Sequence, residues 1–228
     1  MNNICIIPAR GGSKRIPKKN IKSFLGKPII AYSIEAAIKS NLFAEVMVST
    51  DDEEIAEIAK KYGAKIPFIR SKKNSNDFAT TYDVIKEVLM EYEANKYKFD
   101  NACCIYACAP LVDSDKLKKA YQKLNKKKFD SIFPVIKYSS PIQRALKIHN
   151  DKIDLFNSNH LNTRSQDLED SFHDAGQFYW MKTEKILEKE NIITDNCGSI
   201  IISELEGQDI DNEIDWKIAE LKFKLLKK

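Results

Sequence analysis

Acidic residues are absent from the first 34 positions, and basic residues are absent from positions 203–216. Over the whole chain the charges nearly balance, with 37 Lys and Arg against 33 Asp and Glu. The two gaps are therefore local features, and the net charge of +4 does not by itself argue for nucleic acid or membrane. Cysteine is sparse: five residues, an odd number, with no CxxC pair. That excludes a disulfide-stapled scaffold. Cys5, Cys103 and Cys104 lie in apolar runs, where a thiol packs as a small hydrophobe rather than binding zinc. No apolar run reaches the roughly 18 residues of a membrane helix. A basic n-region followed by an h-region is also missing at the start, so a cytoplasmic protein with reduced thiols is the expectation. His149, His160 and His173 have no ligand spacing, and no Ser/His/Asp or Cys/His arrangement stands out. Neither G-x-x-x-x-G-K-[ST] nor G-x-G-x-x-G occurs, so the usual P-loop and dinucleotide fingerprints are excluded.

What is present is a chain of 228 residues, 43% hydrophobic and 31% charged. That is enough for one domain burying roughly 70% of its unfolded surface. Strand-like runs at 4–8, 45–50, 65–69, 102–107 and 131–136 alternate with helical patterns. This rhythm predicts βαβ units and a mainly parallel sheet. Pro28 suits a first helical turn. Asp51 or Asp52 is expected to cap the next helix, which Gly63 ends. Thr80 and Asp83 resemble a capping box, and Ser114 is the expected cap of a fourth helix. After Val135 the rhythm breaks. Residues 143–156 read as a hairpin turning at Asn150-Asp151, inside an insertion spanning 137–175. Strands resume at 176–181 and 198–203, and a last helix carries Ile214, Ile218, Leu221 and Leu225 on one face.

Two segments carry the chemistry. The loop 9–27 is long for a compact domain and follows the first strand. Gly11-Gly12 allows close backbone approach to an anion, and Arg10, Lys14, Arg15, Lys18 and Lys19 supply cations, of which Arg10 and Lys19 could clamp phosphate. The same composition also suits a basic patch that touches RNA. At the far end, 209-DIDNEID-215 places Asp209 and Asp211 two apart. In an extended chain both then project to one side and can face one cation, Mg²⁺ being the ion that takes one or two protein carboxylates with water and phosphate. An acidic first turn of a helix is the plainer reading, and Asp215 falls to it. In 48-VSTDDEEIA-56 the residues Ser49, Thr50 and Asp51 read as caps before they read as ligands.

The segments IPARGGSKRIPKKNI (7–21), GKPIIAYSIEAA (26–37), VSTDDEEIA (48–56), TTYDVI (80–85) and DIDNEIDW (209–216) together resemble the CMP-nonulosonic-acid cytidylyltransferases, the family of CMP-sialic acid synthetases. Within that family, CCIYACAP (103–110) and DAGQFYW (174–180) are most similar to pseudaminic acid cytidylyltransferases. The resemblance implies a three-layer α/β/α nucleotide-diphospho-sugar transferase fold, Rossmann-like, in one domain over 1–228. It implies transfer of CMP from CTP to a nonulosonic acid with release of pyrophosphate, for surface glycans or flagellin. It implies that Arg10 and Lys19 hold the triphosphate with Gly12 and Ser13, that Asn20, Arg70 and Ala79 meet the cytidine, and that Asp209 and Asp211 hold Mg²⁺. Tyr106, Arg164, Gln177 and Tyr179 would face the sugar, and 137–175 would form a homodimer. Tyr106-Ala107-Cys108-Ala109-Pro110 stands where sialate enzymes carry a Gln-Pro-Thr-Ser-Pro-type segment, and Arg15 where a glycine is common in the sialate branch. Legionaminic and N-acetylneuraminic acid are the alternative substrates.

Overall fold

The alternation of apolar residues in the first strand already calls for two covered faces, since Cys5 and Ile7 must point opposite to Ile4 and Ile6. The computed structural model describes residues 2–227, so the two terminal residues of the expected 1–228 domain lie outside it. β1 (Asn3–Pro8) runs into the long loop, a short hairpin of β2 (Ser23–Phe24) and β3 (Lys27–Pro28), and α1 (Ile29–Ser40). Then come β4 (Glu45–Ser49), α2 (Glu53–Lys61), α3 (Thr81–Ala94), β5 (Asn101–Ile105), α4 (Ser114–Lys127) and β6 (Ser131–Lys137). The remainder comprises the hairpin β7 (Leu146–His149) and β8 (Lys152–Leu155), β9 (Phe172–Asp174), β10 (Phe178–Lys182), α5 (Thr183–Lys189), β11 (Cys197–Ile202) and α6 (Glu213–Leu226).

The central sheet has the order β11-β6-β10-β5-β1-β4, with β9 added to the end of β6. β1, β4, β5, β6 and β11 share one direction, while β10 and β9 oppose it, so the sheet is mainly parallel as expected. Cys5 and Ile7 pack with α1, α2 and α4 residues such as Ile34, Ala59 and Leu117. Ile4 and Ile6 pack with Ile85, Val88 and Leu89 of α3 and Ile186 of α5. These are the three layers. Phe178, Tyr179, Trp180 and Met181 are all buried, which fits a strand flanked on both edges and covered on both faces.

Several local expectations hold. Thr80 and Asp83 form the capping box of α3. Gly63 follows α2 at φ +93°. Asn150 and Asp151 turn the hairpin with φ of 49° and 60°. Others are corrected. Residues 65–69 form no strand, only a bridge between Met47 and Lys65, because Pro67 lacks the N–H that would extend the ladder. α4 is capped by Asp113, which accepts from the N–H groups of Asp115 and Lys116, rather than by Ser114. On α6 the stripe Ile214, Ile218, Leu221 and Leu225 is 37–70% exposed, while Trp216 and Ala219 on the other face are buried. The helix is apolar on both sides. The side with Trp216 and Phe223 faces inward because it meets Phe24 edge-on, at ring distances of 5.6 and 5.8 Å.

A third, smaller cluster bears on function. Ile16, from the middle of the cationic loop, is fully buried with Phe24, Ile29, Ile210 and Trp216. Ile210 sits between the two expected carboxylates. Burying its side chain turns those of Asp209 and Asp211 to the opposite side, by the period of two. No helix among the described residues is long and apolar enough to cross a membrane.

Candidate functional site

The chain passes from β1 to β4 on one side and returns to β5 on the other. Such a switch point opens a crevice at the carboxyl ends of the strands. Here it is a cleft of about 720 Å³, lined by Pro8 at the end of β1, Tyr106, Ala107 and Cys108 after β5, the loop after β1, and the segment 209–211. The volume is in the range of small-molecule sites.

The loop is held rather than free. The Ala9 N–H donates to the Ser49 carbonyl at 2.9 Å, and the Gly11 N–H donates to Asp51 Oδ1 at 2.9 Å. Asn20 Nδ2 donates to the Arg10 carbonyl at 2.9 Å and accepts on Oδ1 from the Cys108 thiol at 3.2 Å. Lys19 Nζ donates to the Ile210 carbonyl at 2.8 Å, joining residues 191 apart in sequence. Asp52 caps α2 through Ile55 N–H. Asp51 and Asp52 thus divide two tasks, one holding the loop and one the helix. A methyl group on Gly11 would stand 2.6 Å from Asp52 Oδ2 and 3.0 Å from its Cβ. Gly11→Ala must therefore move the loop or break the cap. The expected outcome is a loss of about 1 kcal/mol in stability and of on the order of 10- to 100-fold in kcat/KM for nucleotide, read by thermal melting and steady-state kinetics.

Four of the five loop cations pair with carboxylates, two of them sharing Asp77. Arg10 Nη1 donates to the Asn76 carbonyl at 2.9 Å and to Asp77 Oδ1 at 2.7 Å. Lys14 pairs with the other oxygen of Asp77. The two hydrogen bonds hold the Asp77 carboxyl below the usual carboxylate range, that from Lys14 contributing most. Arg15 pairs with Asp211 Oδ1 at 2.8 Å. Lys18 turns away to Glu54 on α2. A basic patch neutralised this way by fixed partners is not the open stripe that a nucleic-acid backbone follows. Arg70 is buried; its Nε donates to Ser49 Oγ at 2.9 Å and its Nη2 to the Ser49 carbonyl, and burial above all pulls its pKa down. The Ala79 N–H donates to Asn76 Oδ1 at 3.0 Å.

Opposite the cations stand Asp209 and Asp211. Withdrawal from water, then the Asp211 charge, raises the pKa of Asp209. Gly176, at φ +62°, brings its backbone so close that a Cβ would lie 3.2 Å from that of Asp209. Two carboxylates on one side form a donor set that a hard divalent cation fits.

Arg10, Ser13, Lys19, Asn20, Arg70, Ala79, Tyr106, Asp209 and Asp211 all line this one cleft. Gly12 does not line it, and a Cβ there would meet nothing within 4 Å. Tyr179 lines an adjoining cleft of about 350 Å³ that shares Thr80, Thr81 and Tyr106 with the first. Its hydroxyl donates to Asp174 Oδ2 at 2.6 Å, and burial drives its pKa up. The Gln177 side chain is buried, donating to the Glu206 carbonyl at 2.6 Å, and does not line the cleft. Arg164 lies between β8 and β9, paired with Asp167 at 2.8 Å, and does not line the cleft either. The residues that the sequence reading passed over are Asn76 and Asp77. Their only local signal is a polar, Asn-rich stretch facing an unusual excess of positive charge.

A family described as cytidylyltransferase matches residues 4–199. The chain belongs to the cytidylyltransferase family. Pseudaminic acid cytidylyltransferase of Campylobacter jejuni is 43% identical to this cytidylyltransferase over 226 residues, covering 99% of this chain and 97% of that protein. CMP-N,N'-diacetyllegionaminic acid synthase of Legionella pneumophila is 29% identical, covering 96% and 95%. The solved structure of CMP:2-keto-3-deoxy-manno-octonic acid synthetase complexed with CTP superposes with a TM-score of 0.72 at 17% identity, over 100% of this chain and 99% of that one. At that identity the likeness is one of fold, and it extends end to end.

Proposed function

We propose that this cytidylyltransferase transfers CMP from CTP to the anomeric hydroxyl of a nonulosonic acid, pseudaminic acid foremost, releasing pyrophosphate. The observation that carries this reading is the single cleft in which the cationic loop faces Asp209 and Asp211. The full-length likeness to a pseudaminic acid cytidylyltransferase supports the choice of sugar.

In this reading the triphosphate replaces Asp77 as the partner of Arg10 and Lys14, and Lys19 adds a third cation. Asn20, Arg70 and the backbone at Ala79 meet the cytidine. Asp209 and Asp211 hold magnesium, which when bound supplies neutralisation of phosphate charge. The anomeric hydroxyl gives up its proton to solvent as its oxygen bonds to the α-phosphorus, the bond from phosphorus to the bridging oxygen breaks, and pyrophosphate leaves with that electron pair. Such a reaction asks for alignment and charge more than for covalent help from side chains. Tyr106 and Tyr179 border the space left for the sugar. Ile148, Ile153 and Phe156, exposed on the insertion, are the surface of a homodimer, through which Arg164 would reach the partner's sugar. The unpaired thiols fit a cytoplasmic setting.

Incubation with CTP, Mg²⁺ and a panel of nonulosonic acids, followed by mass analysis, tests the proposal. CMP-pseudaminic acid should form fastest. Absence of any CMP-sugar would sink the enzymatic reading, and faster turnover of N-acetylneuraminic or legionaminic acid would replace the sugar.

A further inference from the structure

Among the described residues, Arg15 is the loop cation that pairs with a carboxylate of the segment 209–211, at 2.8 Å from Asp211 Oδ1, whereas Lys19 bonds the Ile210 carbonyl. We propose that Arg15 is a resident counter-ion of Asp211 that gives way to a divalent cation and then contacts the departing pyrophosphate as a catalytic residue. The proposal rests on the reading of Asp209 and Asp211 as cation ligands.

The first argument is mechanical. Ile16, the next residue, is fully buried, so the backbone at Arg15 is anchored. Its side chain is 69% exposed, so the guanidinium can swing without disturbing the core. Its neighbour Lys14 already points across the cleft to Asp77, so this stretch of loop reaches both walls.

The second argument is energetic. Asp211 is itself 44% exposed. Ion pairs that exposed contribute about 1 kcal/mol at most, about a fivefold effect on a competing ligand. A divalent ion held by two carboxylates exceeds that easily, so the pair is a brake and not a block. Once Asp211 is occupied by a double charge, Arg15 is repelled from it. The nearest strong anion in the same cleft is then the triphosphate between Arg10 and Lys19. A planar guanidinium suits two phosphate oxygens at once. The exchange gives Asp211 a partner when the cleft is empty and adds a cation where negative charge accumulates on the leaving group.

The test compares the wild type with Arg15→Gln, Arg15→Lys and Asp211→Asn. Nucleotide-free protein is titrated with Mn²⁺ alone by water-proton relaxation, which reaches millimolar affinities. Arg15→Gln should bind Mn²⁺ roughly two- to fivefold more tightly than wild type. In turnover with CTP and sugar it should lose about 10- to 100-fold in kcat, with partial recovery in Arg15→Lys. Equal or undetectable Mn²⁺ binding in wild type and Arg15→Gln overturns the proposal, as does turnover of Arg15→Gln within about twofold of wild type. If Asp211→Asn loses Mn²⁺ while Arg15→Gln behaves as wild type, Arg15 fails and the metal reading stands. Undiminished Mn²⁺ binding by Asp211→Asn removes the metal reading itself.

Discussion

Replacing Asp211 by asparagine is expected to lower CTP-dependent pyrophosphate release by about a thousandfold or more, on the order of 4 kcal/mol in the barrier. The fold should survive. The Asp211 side chain is half-exposed, and its only ion pair among the described residues is with exposed Arg15, so losing that pair costs about 1 kcal/mol at most. The backbone there is held independently, because Asp215 Oδ2 accepts from the N–H groups of both Asp211 and Asn212, and Asn212 caps α6. The expected melting temperature therefore stays within roughly 2–4 °C of wild type. Activity and stability separate in this variant because Asp211 faces the cleft while its neighbour Ile210 faces the core. Pyrophosphate release near the wild-type rate would remove Asp211 from the cation site.

Lys19→Met should reduce kcat/KM for CTP by about 100- to 1000-fold. Here activity and stability should fall together. The hydrogen bond of the ammonium group to the Ile210 carbonyl ties the loop to the opposite wall of the cleft. Methionine keeps the apolar stem and removes both the charge and the donor. An unpaired, half-buried carbonyl is left behind, costing about 1–3 kcal/mol. Lys19→Arg keeps the charge and should retain more activity than Lys19→Met. Steady-state kinetics against CTP, with melting curves for each variant, check both parts. A Lys19→Met enzyme with unchanged kcat/KM would show that the triphosphate is gripped elsewhere.

The parts of the fold legible in the sequence are those written in short spans. Alternation in 4–8 gave the two-faced strand β1, and Thr80 with Asp83 gave the start of α3. The cationic loop and the DID segment were each visible alone. What was not legible depends on partners far along the chain. β10 reads as a buried strand, yet nothing in Phe178–Met181 says that it runs against β5 and β6. α6 carries two apolar faces, and only the position of Phe24 decides which one is covered. Asp77 looks like an ordinary loop acid until folding sets it between Arg10 and Lys14. Ile16 looks like an interruption in a charged run, but its burial with Ile210 aligns the two halves of the cleft.

That pairing of Ile16 with Ile210 also has a temporal consequence. The loop and its opposite wall, bonded through Lys19 and Ile210, lie 191 residues apart in sequence, so the cleft closes only after the intervening strands have been made. A polypeptide stopped near residue 205 would retain the sheet and most of its helices but only one wall of the cleft. Copies cut there would lack Asp209, Ile210 and Asp211 and, in this reading, could not consume nucleotide.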